Sequence, residues 1–429
     1  MKRSKRSGKI VALLAVCVAV VGAVFFMTGW ASTLADTISD MAFAITPGTV
    51  SFSRDATTTD PADGDASKPA AKPATQHIPT PAPVKAIYMT QCVVGTPSFR
   101  DSVVKLIDDT ELNAVVIDIR DYSGGIAFPT DDPLLKDMIS DQCGARDMKA
   151  FIERLHEKNI YVIGRITTFQ NPYYTRLHPE EAVQKKGGGV WKDRKGLAFV
   201  DVGSRPYWDT VVALGKASHD IGFDELNFDY IRYPSDGDMA SAEYIKRDGK
   251  NKAEMLEDFY KYLTEALRPT GAVLSADLFG MVTTNYDDLN IGQVLERALP
   301  YFDYIGPMVY PSHYPTGFNG YKNVNQHSYD IVHYAMDTAG DRAEATTTKI
   351  ASLAYQRIGT STPAVYSKPA YPRAKMRAWL QDFDYPVEYT PAMVQEQIKA
   401  NEDAGLDSYM FWDPGNHYSS LRQILKSQE

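Results

Sequence analysis

Short apolar runs recur along this chain, each followed by a longer segment with helical patterning, and that alternation narrows the possible folds more than any other feature. The runs that read as strands are AIYM (86–89), AVVIDIR (114–120), YVIGRIT (161–167), ELNFDYI (225–231), VLSADLF (273–279), YIGPMVY (304–310), KIASLAY (349–355) and SYMFW (408–412). Helices are predicted over 98–110, 147–158, 205–220, 251–267, 290–299, 326–339 and 391–404. Strand then helix, repeated to eight strands, is the pattern of a parallel (β/α)8 TIM barrel. The domain expected to carry it, 84–429, has a length that such barrels routinely reach. An open doubly wound sheet is the competing arrangement. No glycine-rich phosphate loop follows the first strand, which weakens its nucleotide-binding form.

Two segments of different character precede the barrel. Lys2, Arg3, Lys5, Arg6 and Lys9 stand ahead of an apolar run from Ile10 to Trp30, and roughly 20 such residues span a bilayer. Residues 1–30 therefore read as a transmembrane signal anchor, with the basic side cytoplasmic and everything after Trp30 outside. A cleavable signal peptide is the competing reading, since Ala31-Ser32 and Leu34-Ala35 offer small residues near a cleavage site. The first makes a single-pass membrane protein with an extracellular C-terminal domain, the second a secreted one. Residues 31–83, above all 46–83, are rich in Pro, Ala, Thr and Asp and read as a disordered linker. The formal net charge of −9, with no basic stripe in the exported part, argues against a nucleic-acid partner. Cys92 and Cys143 either form one bridge in an oxidising compartment or remain two buried thiols.

In a TIM barrel the chemistry collects where strands end. The second strand ends with Asp118, Arg120 and Asp121, with Asp118 and Arg120 on one side by alternation. Arg165 lies in the third strand, Asn227, Asp229 and Arg232 at the fourth, and Asp277 in the fifth. Tyr310 and His313 follow the sixth, and Trp412, Asp413 and His417 the eighth. A lone strand-end Asp is more often a cap or an ion-pair partner than a catalyst. Asp229 and Asp277 stand out because they fall on adjacent strands among apolar residues, and two neighbouring carboxylates in unlike surroundings can divide a reaction between them. Glycoside hydrolysis uses such a pair, roughly 5 Å apart in retaining and roughly 6.5–9.5 Å in inverting enzymes. The bland alternative is that Arg165 or Arg232 pairs with these acids to tie strands together.

Long loops follow the third strand (NPYYTRLHPEEAVQKKGGGVWKDRKGLAFVDVGS) and the seventh (TSTPAVYSKPAYPRAKMRAWLQDFDYP), and long loops in compact domains tend to be functional. Tyr173, Tyr174, Trp191, Tyr366, Tyr371 and Trp379 lie in them, a set suited to apolar sugar faces even though packing beneath the loop is the default for any one. The histidines are scattered without a close ligand pair; an oxygen-rich site could still hold calcium or magnesium, but no loop has EF-hand spacing, and neither a metal nor a cofactor is expected. VDVGSRP lacks the serine-hydrolase elbow.

The set VVIDIRDYSGGIAF, YVIGRITTFQNP, GFDELNFDYIRYP, LSADLFG, YIGPMVYPSHY and SYMFWDPGNHYS resembles a bacterial family of putative glycosyl hydrolase domains, from Val115 to Ser420. The resemblance implies a TIM-barrel glycosidase acting on an extracellular or cell-wall polysaccharide. By analogy with α-amylase-like barrels, Asp229 would be the nucleophile and Asp277 the acid/base; Arg232, three residues on, is expected to orient or stabilise Asp229. Two positions depart from that layout: the proton donor is Asp instead of Glu, and Asn227 stands where that clan has Arg. The fourth strand also looks like the chitinase motif, but Ile231 occupies the place of its catalytic Glu, which sets a substrate-assisted mechanism aside. The expected role is thus a membrane-anchored glycoside hydrolase whose substrate contacts come from Asp118, Arg120, Asp121, Arg165, Asn227, Arg232, Tyr310, His313, Trp412, Asp413 and His417. The rival class is a noncatalytic glycan-binding or envelope-scaffold barrel, and a polysaccharide lyase or deacetylase is a third.

Overall fold

Eight parallel strands close on themselves in the computed structural model, which describes residues 75–426. They are β1 (Lys85–Met89), β2 (Ala114–Arg120), β3 (Tyr161–Thr167), β4 (Glu225–Asp229), β5 (Val273–Phe279), β6 (Tyr304–Met308), β7 (Ala378–Gln381) and β8 (Tyr409–Trp412). Each pairs with its neighbours in sequence, and β8 closes on β1 with Ala86 opposite Met410. Outside run α1 (Pro97–Asp108), α2 (Met148–Glu157), α3 (Arg205–Asp220), α4 (Lys252–Leu267), α5 (Leu295–Ala298), α6 (Ser328–Glu344) and α7 (Pro391–Asp403), one after each of the first seven strands. This is a (β/α)8 TIM barrel. The anchor expected at 1–30 lies outside the described residues. Among those described, no helix is long and apolar enough to cross a membrane.

The seventh strand is not where the apolar pattern puts it. KIASLAY (349–355) is largely exposed coil whose Ser352 and Leu353 dock on Glu257 of α4. The barrel strand is the four-residue AWLQ at 378–381, buried at every position. The long insertion therefore precedes β7 and ends in it. Part of it forms a small antiparallel sheet from Thr347–Thr348, Gln356–Ile358 and Val365–Ser367. A short apolar run fits a strand or a surface turn equally well by periodicity, and tertiary packing decides. The helix expected over 290–299 shrinks to α5.

Alternation along the strands divides the apolar residues into two cores. Leu226 and Phe228 face outward to the helices, while Ala86, Tyr88, Val116, Ile163, Trp379 and Met410 pack inside the barrel. The lowest interior layer is polar. Glu225 accepts from Arg377 at 2.9 and 3.0 Å, from Ser275 Oγ at 2.6 Å and from Tyr161 at 3.2 Å.

The last residues of the linker range, 75–83, are not free. Ile78 packs against the inner core, its N–H donates to Asp224 at 2.9 Å, and Thr80 hydrogen-bonds Tyr161 at 2.9 Å. His77 stacks on His219 with centroids 3.9 Å apart. One Ile and one His suffice to seat a segment whose composition is otherwise that of a linker, and it closes the floor of the barrel.

At the opposite end the β3–α3 and β4–α4 loops join. Gln184–Lys185 pairs antiparallel with Ala242–Glu243, and Trp191 is buried beneath, donating Nε1 to the Asp238 carbonyl at 2.9 Å. Cys92 and Cys143 form a disulfide linking the start of the β1–α1 connection to the loop after β2.

Candidate active site

β4 ends at Asp229 because Tyr230 turns into the left-handed region, φ 47°, a conformation rarely adopted by a bulky residue outside special sites. The Tyr230 N–H, withdrawn from the ladder, donates to Asp229 Oδ1 at 2.5 Å. The other oxygen, Oδ2, is held by Arg165, which donates from Nε at 3.1 Å and from Nη2. The same guanidinium reaches Asp118 Oδ1 at 2.6 Å through Nη1, and Tyr88 donates its hydroxyl to Asp118 Oδ2. All four side chains are buried. Burial opposes the charge of Arg165, but Asp229 and Asp118 together outweigh it and hold its pKa well above the ordinary value. Burial pushes Asp118 up to about 6, against the pull of Arg165 and of the Tyr88 hydrogen bond.

Asp277 occupies the neighbouring strand in a different environment. Its Oδ1 accepts from Asn227 Nδ2 at 2.9 Å and from Trp379 Nε1 at 2.8 Å. Its Oδ2 is buried without a hydrogen-bond partner among the described residues. Burial, reinforced by the charge of Asp229, drives its pKa well above the carboxylate range. With both donors on Oδ1, the proton belongs on Oδ2. One carboxylate is thus held by an arginine and its neighbour is kept protonated, the kind of asymmetry that lets two carboxyls take different roles. Among the described residues no group of three or more His, Cys, Asp or Glu has metal-binding geometry.

Gly306 on β6 makes room for this acid. A Cβ there would lie 2.5 Å from Asp277 Oδ1 and 3.3 Å from the Trp379 ring. Gly306→Ala is expected to displace the carboxyl and lower turnover by about 10²-fold, with a stability loss of about 1–3 kcal/mol. Kinetics alongside thermal unfolding check both, and unchanged turnover would show that the close approach is unimportant.

The remaining expected residues divide. Tyr310 is buried in the inner core, and its pKa is raised first by burial and then by the charges of Asp277 and Asp229. Trp412 stacks on Tyr88 at 3.9 Å and lies beneath the Arg165 guanidinium, 4.8 Å from the ring centroid. His313 is exposed at the rim with Phe383, 5.8 Å between centroids. Arg120 does not join Asp118. The β2–β3 register shifts between the two, and Arg120 turns to the Thr167 carbonyl at 3.0 Å and to the Tyr207 ring of α3 at 5.5 Å. Arg232 does not orient Asp229; Arg165 does, from the adjacent strand. Asp413 accepts from the N–H groups of Gly415, His417 and Tyr418 and shapes its own turn. Asp121 closes a turn on Ser123 at 2.9 Å, and His417 stacks on Phe99 at 5.6 Å.

Two site residues escape a reading of strand ends alone. Tyr88 sits on β1, where the alternation Ala86, Tyr88 in AIYM would have placed it inside. Trp379 reads as a loop aromatic until β7 is recognised.

A family model described as "Putative glycosyl hydrolase domain" matches residues 86–418. The chain belongs to this family. Solved structures of other proteins are similar to this chain. The PgaB (BpsB) glycoside hydrolase domain from Bordetella bronchiseptica is 12% identical over 81% of this chain and 100% of its own, TM-score 0.52. Alpha-L-fucosidase isoenzyme 2 from Paenibacillus thiaminolyticus is 10% identical over 80% of this chain and 48% of its own, TM-score 0.54. A hypothetical protein from Ruminiclostridium thermocellum is 30% identical over 48% of this chain and 98% of its own, TM-score 0.41. No curated protein matches. The first two likenesses establish the fold of this putative glycosyl hydrolase domain, and its chemistry is argued from the side chains.

Proposed function

We propose that the chain is a membrane-anchored glycoside hydrolase that cuts a cell-wall or exopolysaccharide outside the cell, with Asp229 as nucleophile and Asp277 as acid/base. The observation that carries the reading is the uneven carboxyl of Asp277: two donors on Oδ1, none on a buried Oδ2, and a pKa driven up by burial and by Asp229. Asp277 gives its Oδ2 proton to the glycosidic oxygen as the bond to the anomeric carbon breaks. Asp229, oriented by Arg165, forms the glycosyl ester. Water then displaces Asp229 while the Asp277 carboxylate takes the proton from that water and is restored as the acid. Export rests on the basic-then-apolar N-terminus, and the Cys92–Cys143 disulfide fits an oxidising compartment.

The test is to incubate the full-length chain with a panel of cell-wall and exopolysaccharides and to measure new reducing ends. Retention of a glycan without release of ends would move the noncatalytic binding barrel ahead. A second measurement isolates the acid. Asp277→Asn should lose roughly 10²–10⁴-fold in turnover on the natural polysaccharide, yet keep much of its rate on a dinitrophenyl glycoside, whose leaving group needs no proton. Because the raised pKa keeps Asp277 protonated where ordinary carboxyls are ionised, parent activity should fall as pH rises through that value. The variant should lack this limb. Equal losses on both substrates would remove Asp277 from the acid role.

A further inference from the structure

Six arginines are buried among the described residues, and four of them face a carboxylate: Arg100 with Asp147, Arg165 with Asp118 and Asp229, Arg342 with Glu296, Arg377 with Glu225. Arg120 lies on the helix side of the barrel, where Nε and Nη2 donate to the Thr167 and Thr168 carbonyls and Nη1 is left without a partner among the described residues. Arg232 is different. It lies three residues past Asp229, with its guanidinium between the rings of Tyr230 and Phe279, 4.6 and 4.5 Å from their centroids. Phe279 ends β5, two residues past Asp277. Nη1 donates to the Tyr233 carbonyl at 3.0 Å and to Ser235 Oγ at 3.2 Å. Nε is buried with no partner, and Nη2 makes no hydrogen bond among the described residues. The unfilled Nε–Nη2 edge is the side of the guanidinium that meets a carboxylate or phosphate in two parallel hydrogen bonds. Asp229, Asp236 and Asp193 act on it from beyond ion-pair distance, and burial outweighs them.

The loop that packs against this turn supports the same sign of ligand. Lys185, Lys186, Lys192, Arg194 and Lys195 are exposed, and none of them forms an ion pair with an acid among the described residues. Lys186 is fixed to the β4–α4 loop through its N–H to the Ser241 carbonyl at 2.8 Å. A charged loop is ordinarily a solvated face. Here the loop also carries Asp193, which with Asp236 acts on Arg232 without forming an ion pair, so the buried cation keeps an open edge.

We propose that Arg232 is an anion subsite beside the cleavage point, and that the glycan bound there is acidic, carrying a carboxylate or a phosphate on a sugar next to the bond that is cut. This rests on the glycosidase reading of the same cleft and names the class of its substrate.

The experiment is calorimetric titration of the full-length chain with matched oligosaccharides: galacturonate against galactose oligomers, glucuronate against glucose oligomers, and a 6-phosphorylated glucose oligomer as a third arm. At least one acidic member is expected to bind about tenfold or more tightly than its neutral counterpart, as one charge-assisted pair provides. Which arm does so separates carboxylate from phosphate. Arg232→Gln should erase the difference and Arg232→Lys should keep part of it, with melting temperature as the check on folding. Neutral sugars binding as well as acidic ones, no acidic sugar binding, or a preference that survives in a folded Arg232→Gln chain would each overturn the proposal. Binding is read apart from turnover, so acidic sugars bound without release of reducing ends would sustain this inference and defeat the hydrolase reading.

Discussion

Asp229→Asn in the full-length chain is expected to lower polysaccharide turnover by roughly 10³-fold or more while leaving glycan affinity nearly unchanged. The amide keeps the size of the carboxylate and can still accept from Arg165 through its oxygen, so the cleft keeps its shape. What it loses is the negative charge that attacks the anomeric carbon and, at the same time, one of the influences holding Asp277 protonated. Reducing-end release and equilibrium binding, measured on the same preparation, separate the two effects. A variant that hydrolyses at the parental rate would remove Asp229 from the chemistry altogether.

Arg165→Met is expected to be the most damaging single change to stability. Arg165 is the one cation that touches both Asp118 and Asp229, and removing it leaves two buried carboxylates facing each other. Breaking a buried pair from one side costs about 3–5 kcal/mol. The sign of the pH dependence follows from the carboxyls. Asp118 has a folded pKa raised to about 6 even with Arg165 present, so folding already binds a proton that the unfolded chain releases earlier, and the protein loses stability as pH rises from the ordinary carboxyl range toward that value. Without Arg165, Asp118 is raised further and Asp229 loses its buried counter-ion. The penalty should therefore be small at pH values where both remain protonated in either state and should grow as pH rises. Urea unfolding of the parent and variant at about pH 3 and about pH 8 checks this. A penalty that is the same at both values would mean that the cluster holds the strands by packing alone.

The contrast between what could and could not be read from the residues follows one physical line. Seven of the eight strands carry enough buried, β-branched or aromatic residues in a row to announce themselves, and the helices follow from their apolar faces. AWLQ is only four residues long and stands among prolines and aromatics, whereas KIASLAY is longer and more apolar yet ends on the surface. The acids at 229 and 277 were legible because their strands are adjacent in order. The partner of Asp229 was not, because Arg165 and Arg232 are both plausible until register is known, and β3 sets Arg165 opposite Asn227, one step below the carboxylate it reaches. Arg120 was misjudged for a similar reason: alternation holds only while the ladder is regular, and the register shift in β2 turns its side chain to the outside. Residues 75–83 show the converse, a low-complexity composition seated by two side chains.

The hydrogen atom that Gly306 presents to Asp277 can serve as a marker across the family. A barrel that keeps both acids but carries a methyl group or more at this place has no room for the acid in the orientation seen here. Sorting members by that one position is expected to separate barrels that can hold the acid in this orientation from those that cannot, before any substrate is known.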